Sequence, residues 1–194
     1  MKVWTPERMS ALIRKLISLA RMDESDAGLE TEVFNLSDAV TDSIAAFRPL
    51  PESRHLTLLS CVSPMVRLRG DEAAIRQLLS ILLDNAVKYC DAGGTIRVTL
   101  KTTGLFKGIF TFKKNHICLK RQRVLLTVDN TYATVGGLKL DLLFDRFYRS
   151  DRARTIGEGF GVGLSTAKSI VEKHHGKITA QAPDNSTIRF QIKL

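Results

Sequence analysis

The stretch DEAAIRQLLSILLDNAVKYC, residues 71–90, limits the fold more than any other part of the chain. Leu78, Leu79, Leu82, Leu83, Ala86 and Val87 recur at helical spacing and make a wide apolar face on one long helix. Asp71 caps this helix and the segment DAGG stops it. A face that broad must be covered by a second layer. LTLLSCV and MVRLRG, separated by Ser63-Pro64, read as two short strands, and TIRVTLKT and VLLTVDN alternate with the period of a strand. Helices and hairpin-connected strands alternate without a strict βαβ rhythm. The pattern predicts an α+β fold: a two-layer sandwich whose mixed, mostly antiparallel sheet is covered by helices on one face.

The remaining elements frame that domain. Residues 6–22 carry Met9, Leu12, Ile13, Leu16, Leu19 and Ala20 at helical spacing and predict a separate N-terminal helix. The acidic, Gly-containing DESDAGLETEV reads as a linker, placed at 24–30, with the main domain running over 31–194. LSDAVTDSIAAFRPL predicts a short amphipathic helix capped by Ser37 and ended by Pro49 and Pro51. LKLDLLFDRFYR predicts another helix, and KITAQAPDNSTIRFQIKL a hairpin turning at Pro183-Asp184-Asn185. With 194 residues, 44% of them hydrophobic, the chain can bury one good-sized core. No apolar run reaches transmembrane length and the N-terminus has no signal-peptide pattern. Cys61, Cys90 and Cys118 have no metal-ligand spacing and read as reduced thiols. The net charge of +9 admits an anionic ligand, a nucleic acid or a membrane surface, and much of it is local: residues 92–128 hold eight Lys/Arg and no acid.

Three stretches carry chemistry. In GEGFGVGLSTAKSIVEKHHG, Gly159, Gly161 and Gly163 lead straight into a helix. Bare backbone before a helix N-terminus suits an anion such as phosphate, through free N–H groups and partial positive charge. A dinucleotide fingerprint would need a buried strand in front, and FDRFYRSDRARTI is charged and irregular. In LLSILLDNAVKY, Asn85, Lys88 and Tyr89 share one helix side. An Asn oxygen suits Mg²⁺ and a Lys one turn on suits phosphate; a solvated polar edge is the plainer reading. In LFDRFYRSDRAR, Phe144, Phe147 and Tyr148 are aromatic anchors ringed by Arg146, Arg149, Arg152 and Arg154, which can grip a triphosphate or form an exposed basic loop.

In sequence order the chain resembles the histidine-kinase ATPase family, within the wider group of gyrase, the mismatch-repair ATPases and a heat-shock chaperone. LLDNAVKY resembles its Asn box, LFDRFYRSD its Phe box and GFGVGLSTAKSIVEKHHGKI its second glycine box, over about residues 30–194. RMSALIRKLISLARMD is similar to the second helix of the dimerisation and phosphotransfer hairpin that precedes this domain in sensor kinases. The resemblance implies a Bergerat-type fold binding ATP and Mg²⁺. It implies Asn85 as the Mg²⁺ ligand, Lys88 and Tyr89 facing phosphates and ribose, and Gly159, Gly161, Gly163 and Leu164 around the triphosphate. It implies Arg146 and Arg149 as further nucleotide contacts, with Asn85, Lys88 and Arg146 as the catalytic set and residues 149–158 as a lid. The implied activity is transfer of the ATP γ-phosphoryl group to a His upstream of this chain. The implied partners are a response regulator receiver domain and a second copy in a full-length homodimer, not nucleic acid. The implied place is a cytoplasmic domain, in a full-length protein that can be anchored in the cell membrane. A degenerate nucleotide module signalling by conformation is the alternative.

Four features depart from the family. Its adenine-reading box is Asp-x-Gly-x-Gly, whereas this chain has TVDNTYATVGG. Asp129 or Asn130 can take the Asp position; Val124, Leu126 and Val128 point one way, so strand phase selects Asn130. Tyr132 and Thr134 then occupy the glycine positions, with Gly136-Gly137 slightly later. Ile81 stands one turn before Asn85, where the family often has a polar residue. The two strands that a tight turn usually joins are separated by a basic segment at about 101–123, able to dock an acidic partner or a membrane. Finally, His55, His116, His174 and His175 all lack a phosphoacceptor context. The chain is therefore expected to be inactive in self-phosphorylation, as a fragment.

Overall fold

The computed structural model describes residues 31–103, 123–150 and 160–194. The N-terminal helix over 1–23, the 24–30 linker, most of the basic segment and most of the 149–158 lid lie outside the described residues. In chain order the elements are β1 (Glu32–Asn35), α1 (Leu36–Phe47), α2 (Pro49–Ser53), β2 (Thr57–Val62), β3 (Arg67–Gly70), α3 (Glu72–Tyr89), β4 (Thr95–Thr103), β5 (Arg123–Thr131), α4 (Gly163–Lys173), β6 (Lys177–Asp184) and β7 (Thr187–Lys193). Two 3₁₀ turns, Val135–Gly137 and Leu140–Phe144, lie between β5 and α4.

Five strands form one sheet in the order β2-β4-β5-β7-β6, in which only β2 and β4 run parallel. β1 and β3 form a separate antiparallel pair. The inward residues of the large sheet are Ile96, Val98 and Leu100 on β4, Val124, Leu126 and Val128 on β5, and Ile188, Phe190 and Ile192 on β7. They form one core with the apolar face of α3 and with residues of α1 and α4. Each fully buried Leu or Ile contributes about 1.5–3 kcal/mol. The expected two-layer α+β sandwich is what forms.

Local details differ from the sequence expectation. Asn35, not Ser37, caps α1: its Oδ1 accepts from the Ser37 N–H at 3.1 Å, while its Nδ2 donates to Asp38 at 2.6 Å. Ser37 is buried instead. Its hydroxyl donates to the Ser63 carbonyl at 2.7 Å and accepts from the Val66 N–H at 2.9 Å, pinning α1 to the β2–β3 connection. This helix ends at Phe47, just before Pro49, as expected, but a separate short helix follows at once. Pro49 opens α2, because proline lacks only an N–H that a first helical turn leaves unpaired. The last two residues of DESDAGLETEV begin β1, where pairing with Arg69 and Gly70 outweighs weak local propensity. LKLDLLFDRFYR is helical only as a 3₁₀ turn ending at Phe144. The hairpin turns at Asn185-Ser186, and Pro183 lies within β6 at a register shift, as an edge strand permits. Asp71 caps α3 as expected, accepting from the Ala74 N–H at 2.9 Å.

Candidate active site

A pocket of about 240 Å³ opens between α3, the 3₁₀ turns and the N-terminus of α4. One helical stripe of α3 lines it: Gln77, Ile81, Asp84, Asn85, Lys88 and Tyr89. Opposite are Tyr148, Arg149 and Ser150 of the Phe box, then Gly161, Val162, Gly163, Leu164 and Thr166. Tyr132, Leu138, Leu143, Ile188 and Phe190 supply apolar wall and floor.

The charged groups are already arranged. Lys88 Nζ donates to Asp84 Oδ2 at 2.8 Å, one turn apart on α3. Burial raises the Tyr89 hydroxyl above the ordinary tyrosine range, against the opposing charges of Arg149 and Lys88. No side chain caps α4: Val162 stands at its N-cap. The Ser165 and Thr166 hydroxyls both donate back to the Val162 carbonyl, at 2.9 and 2.8 Å. The first N–H groups of α4 and its positive end therefore face the pocket without an acidic cap.

The two described glycines of the box do different work. Gly161 has φ +72° and its backbone is pressed against another strand of chain: an added Cβ would lie 2.9 Å from the Phe147 backbone and from the Tyr148 carbonyl. Phe147 in turn has φ 64° and donates its N–H to the Gly161 carbonyl at 2.8 Å. Gly161 thus fastens the Phe box to the glycine box. Gly163 starts α4, where an added Cβ would meet only Ile81 Cγ2, at 3.6 Å.

Of the expected residues, Asn85, Lys88, Tyr89, Arg149, Gly161, Gly163 and Leu164 come together around this pocket. Arg146 is exposed and does not line it. Gly159 lies outside the described residues. Asn130 is 1% exposed and is not a lining residue, although Tyr132, just beyond the end of β5, and Ile188, its β7 partner, both are. The Asn130 Nδ2 donates to the Thr131 carbonyl at 3.1 Å, which leaves Oδ1 as a buried acceptor with no partner among the described residues. Asp129 points the other way. It is held by Arg189 through two hydrogen bonds, at 2.8 and 2.7 Å. Asn130 thus shares the inner face of β5 with Val124, Leu126 and Val128, as strand phase predicts. Phe144, exterior to the lining, packs edge-on against Phe190, with ring centroids 6.2 Å apart.

Sequence reasoning missed Gln77, Asp84, Leu138, Leu143 and Thr166. Gln77, Ile81, Asp84 and Lys88 follow one another at steps of four, three and four, so the same helical stripe that gave Lys88 contained the signal.

The histidine kinase-, DNA gyrase B- and HSP90-like ATPases match residues 70–194. The chain belongs to that family. It is a catalytic ATPase domain of the kind found in two-component sensor histidine kinases. Sensor protein DltS of Streptococcus agalactiae serotype V is 30% identical over 188 residues, 97% of this chain and 43% of that protein. Sensor histidine kinase CusS of Escherichia coli K12 is 33% identical, over 96% of this chain and 35% of that protein. The chain thus spans less than half the length of these relatives. Among solved structures, Acinetobacter baumannii histidine kinase AdeS superposes with a TM-score of 0.68 at 22% identity, over 97% of this chain and 78% of that one. The catalytic domain of histidine kinase ThkA gives 0.65 at 20%, over 86% and 95%. At those identities the likeness is one of fold. No helix among the described residues is long and apolar enough to cross a membrane.

Proposed function

We propose that the pocket binds Mg·ATP and that the domain delivers the γ-phosphoryl group to a His upstream of this chain. One observation carries the reading: the Asn85, Lys88 and Tyr89 side of α3 faces an uncapped helix N-terminus across a single pocket. The donor set suits the ligand. Asn85 and neighbouring Asp84 offer hard oxygens, and Mg²⁺ is typically held by one or two such groups together with substrate phosphates. When bound, Mg²⁺ neutralises charge on the phosphates. Lys88 exchanges its Asp84 carboxylate for phosphate oxygen, and Arg149 meets the same charge from the opposite wall. The first N–H groups of α4, at Gly163 and Leu164, receive phosphate oxygens. The spare Oδ1 of Asn130 suits an amino donor on the base, which adenine has. Transfer then rests on positioning and charge stabilisation.

The longer arrangement follows from the same reading. Residues 1–23 act as the second helix of a dimerisation and phosphotransfer hairpin, 24–30 as a linker, and 149–158, with Gly159 and Arg146 beside it, as a lid over the nucleotide. The domain works in the cytoplasm, within a homodimeric, membrane-anchored kinase that serves a receiver domain.

Calorimetric titration with Mg·ATP tests the site. Asn85→Ala should weaken binding at least ten-fold with the circular dichroism spectrum unchanged; equal affinity removes Asn85 from the site. The chain alone should take no acid-labile label from γ-labelled ATP, because none of its four histidines has phosphoacceptor context. Stable histidine label on the purified chain would overturn that expectation. One observation favours a second reading. Tyr132, 4% exposed, stands on the pocket wall where the family has glycine, and Asn130 does not reach the lining. If the chain binds no nucleotide and Asn130→Asp does not restore binding, a conformational module without kinase activity is the better account.

A further inference from the structure

We propose that the outward face of the five-stranded sheet docks an acidic protein partner, through a row of lysines at one end. Among the described residues, helices cover only the inner face. On the outer face, Lys177 pairs with Lys193, Lys193 with Leu125, and Leu125 with Lys101, so three lysines fall in one line across four strands. All three are exposed, and none has an ion pair among the described residues. Lys177 and Lys193 are directly opposite, an arrangement that weakens a sheet when both residues carry the same charge. The acid of the same face that could relieve them, Asp129, is two rows away, 6% exposed and held by Arg189. Arg97, opposite Asp129, is another exposed cation without an ion pair among the described residues.

The surface between these charges decides the class of partner. The row beside the lysines is Thr179, Gln191, Thr127 and Thr99, uncharged polar groups of which Thr127 is buried and the other three are half-exposed donors and acceptors of hydrogen bonds. Among the described residues the outer sheet face shows no exposed aromatic ring for stacking nucleic-acid bases or entering a bilayer; Leu125 is half-buried, and the exposed Leu59 stands apart on the edge strand β2, opposite Arg97. Each strand step also turns the sheet by roughly 20–25°, so a row over four strands curves away from a flat membrane. A folded acidic protein can follow that curvature. Its carboxylates would meet cations spaced by one strand step of about 4.8 Å and then by two.

The test uses the 194-residue chain, a 20-residue polyglutamate peptide as acidic-chain probe, phosphatidylglycerol vesicles and a 20-base-pair DNA duplex, all at about 50 mM salt, where surface charge is weakly screened. The triple variant Lys101→Gln/Lys177→Gln/Lys193→Gln should bind polyglutamate at least ten-fold more weakly than the parent. The control Arg67→Gln/Arg69→Gln/Lys139→Gln removes the same charge elsewhere and should stay within two-fold. Bound polyglutamate should also protect Lys101, Lys177 and Lys193 from acylation more than Lys139 and Lys168, read by mass spectrometry. Equal losses in both triple variants would overturn the proposal in favour of net charge. Row-dependent binding to vesicles or DNA that exceeds binding to polyglutamate would overturn it in favour of that ligand, and no binding to any probe would end it.

Discussion

Asn130 and Asp129 are adjacent on β5 and have opposite roles. Asn130 faces the core with a spare buried acceptor; Asp129 faces out and is locked to Arg189. A charge-assisted hydrogen bond contributes about 1.5–3 kcal/mol against roughly 0.5–1.5 for a neutral one. Asn130→Asp should therefore tighten ATP binding several-fold and widen the preference for ATP over GTP. Asp129→Ala should behave as a stability variant, lowering unfolding free energy by about 1–3 kcal/mol as Arg189 loses its partner. The ATP-to-GTP ratio should be unchanged. Paired nucleotide titrations and urea melts of the two variants separate these effects. Loss of ATP discrimination in Asp129→Ala, with none gained in Asn130→Asp, would exchange the two roles.

Between elements, His174 joins the end of α4 to the start of α3. Its Nε2 accepts from the Asp71 N–H at 3.0 Å and its Nδ1 lies 2.8 Å from the Ile170 carbonyl, which assigns the neutral Nδ1–H tautomer. The contact needs a glycine opposite: a Cβ on Gly70 would lie 2.5 Å from the His174 ring. Gly70→Ala should cost about 1–3 kcal/mol through overpacking. His174→Ala opens that space and gives up the Asp71 hydrogen bond. The double variant should therefore cost less than the sum of the two singles, in a urea-melt cycle. Additive losses would show that the ring is not what Gly70 accommodates. The joint matters for the site because α3 carries Asn85 and Lys88, while α4 presents its other end to the same pocket.

For the whole molecule, the excess of positive charge is distributed unevenly. Where it falls on the outer sheet face, it opposes folding. Lys177→Glu would turn a directly opposed lysine pair into an attractive one. It should raise stability by about 0.2–1 kcal/mol, a rise of roughly 1–3 °C in Tm for a domain of this size. Differential scanning fluorimetry at low and high salt checks it. The gain should shrink as salt screens the charges, and an unchanged or lower Tm at low salt would show that the row carries no repulsive strain.

The sequence alone determined what depends on periodicity and composition. The apolar stripe of α3, the alternation of β4 and β5 and the Asp71 cap are local patterns, and each formed where its spacing put it. Strand phase also puts Asn130 inward and Asp129 outward, because side chains alternate along a regular strand. Other features are decided by partners distant in sequence. β1 exists through its pairing with β3, and Ser37 was taken from capping by Ser63 and Val66 across the fold. Gly161 is bare because the Phe box backbone lies against it, a contact between segments with no common periodicity. Arg146 and Arg149 are indistinguishable in a basic loop, and only the turn at Arg146-Phe147 brings Arg149 to the pocket while Arg146 stays exposed outside it. The lysine row has the same origin: its members are up to 92 residues apart, and hydrogen-bond register alone aligns them.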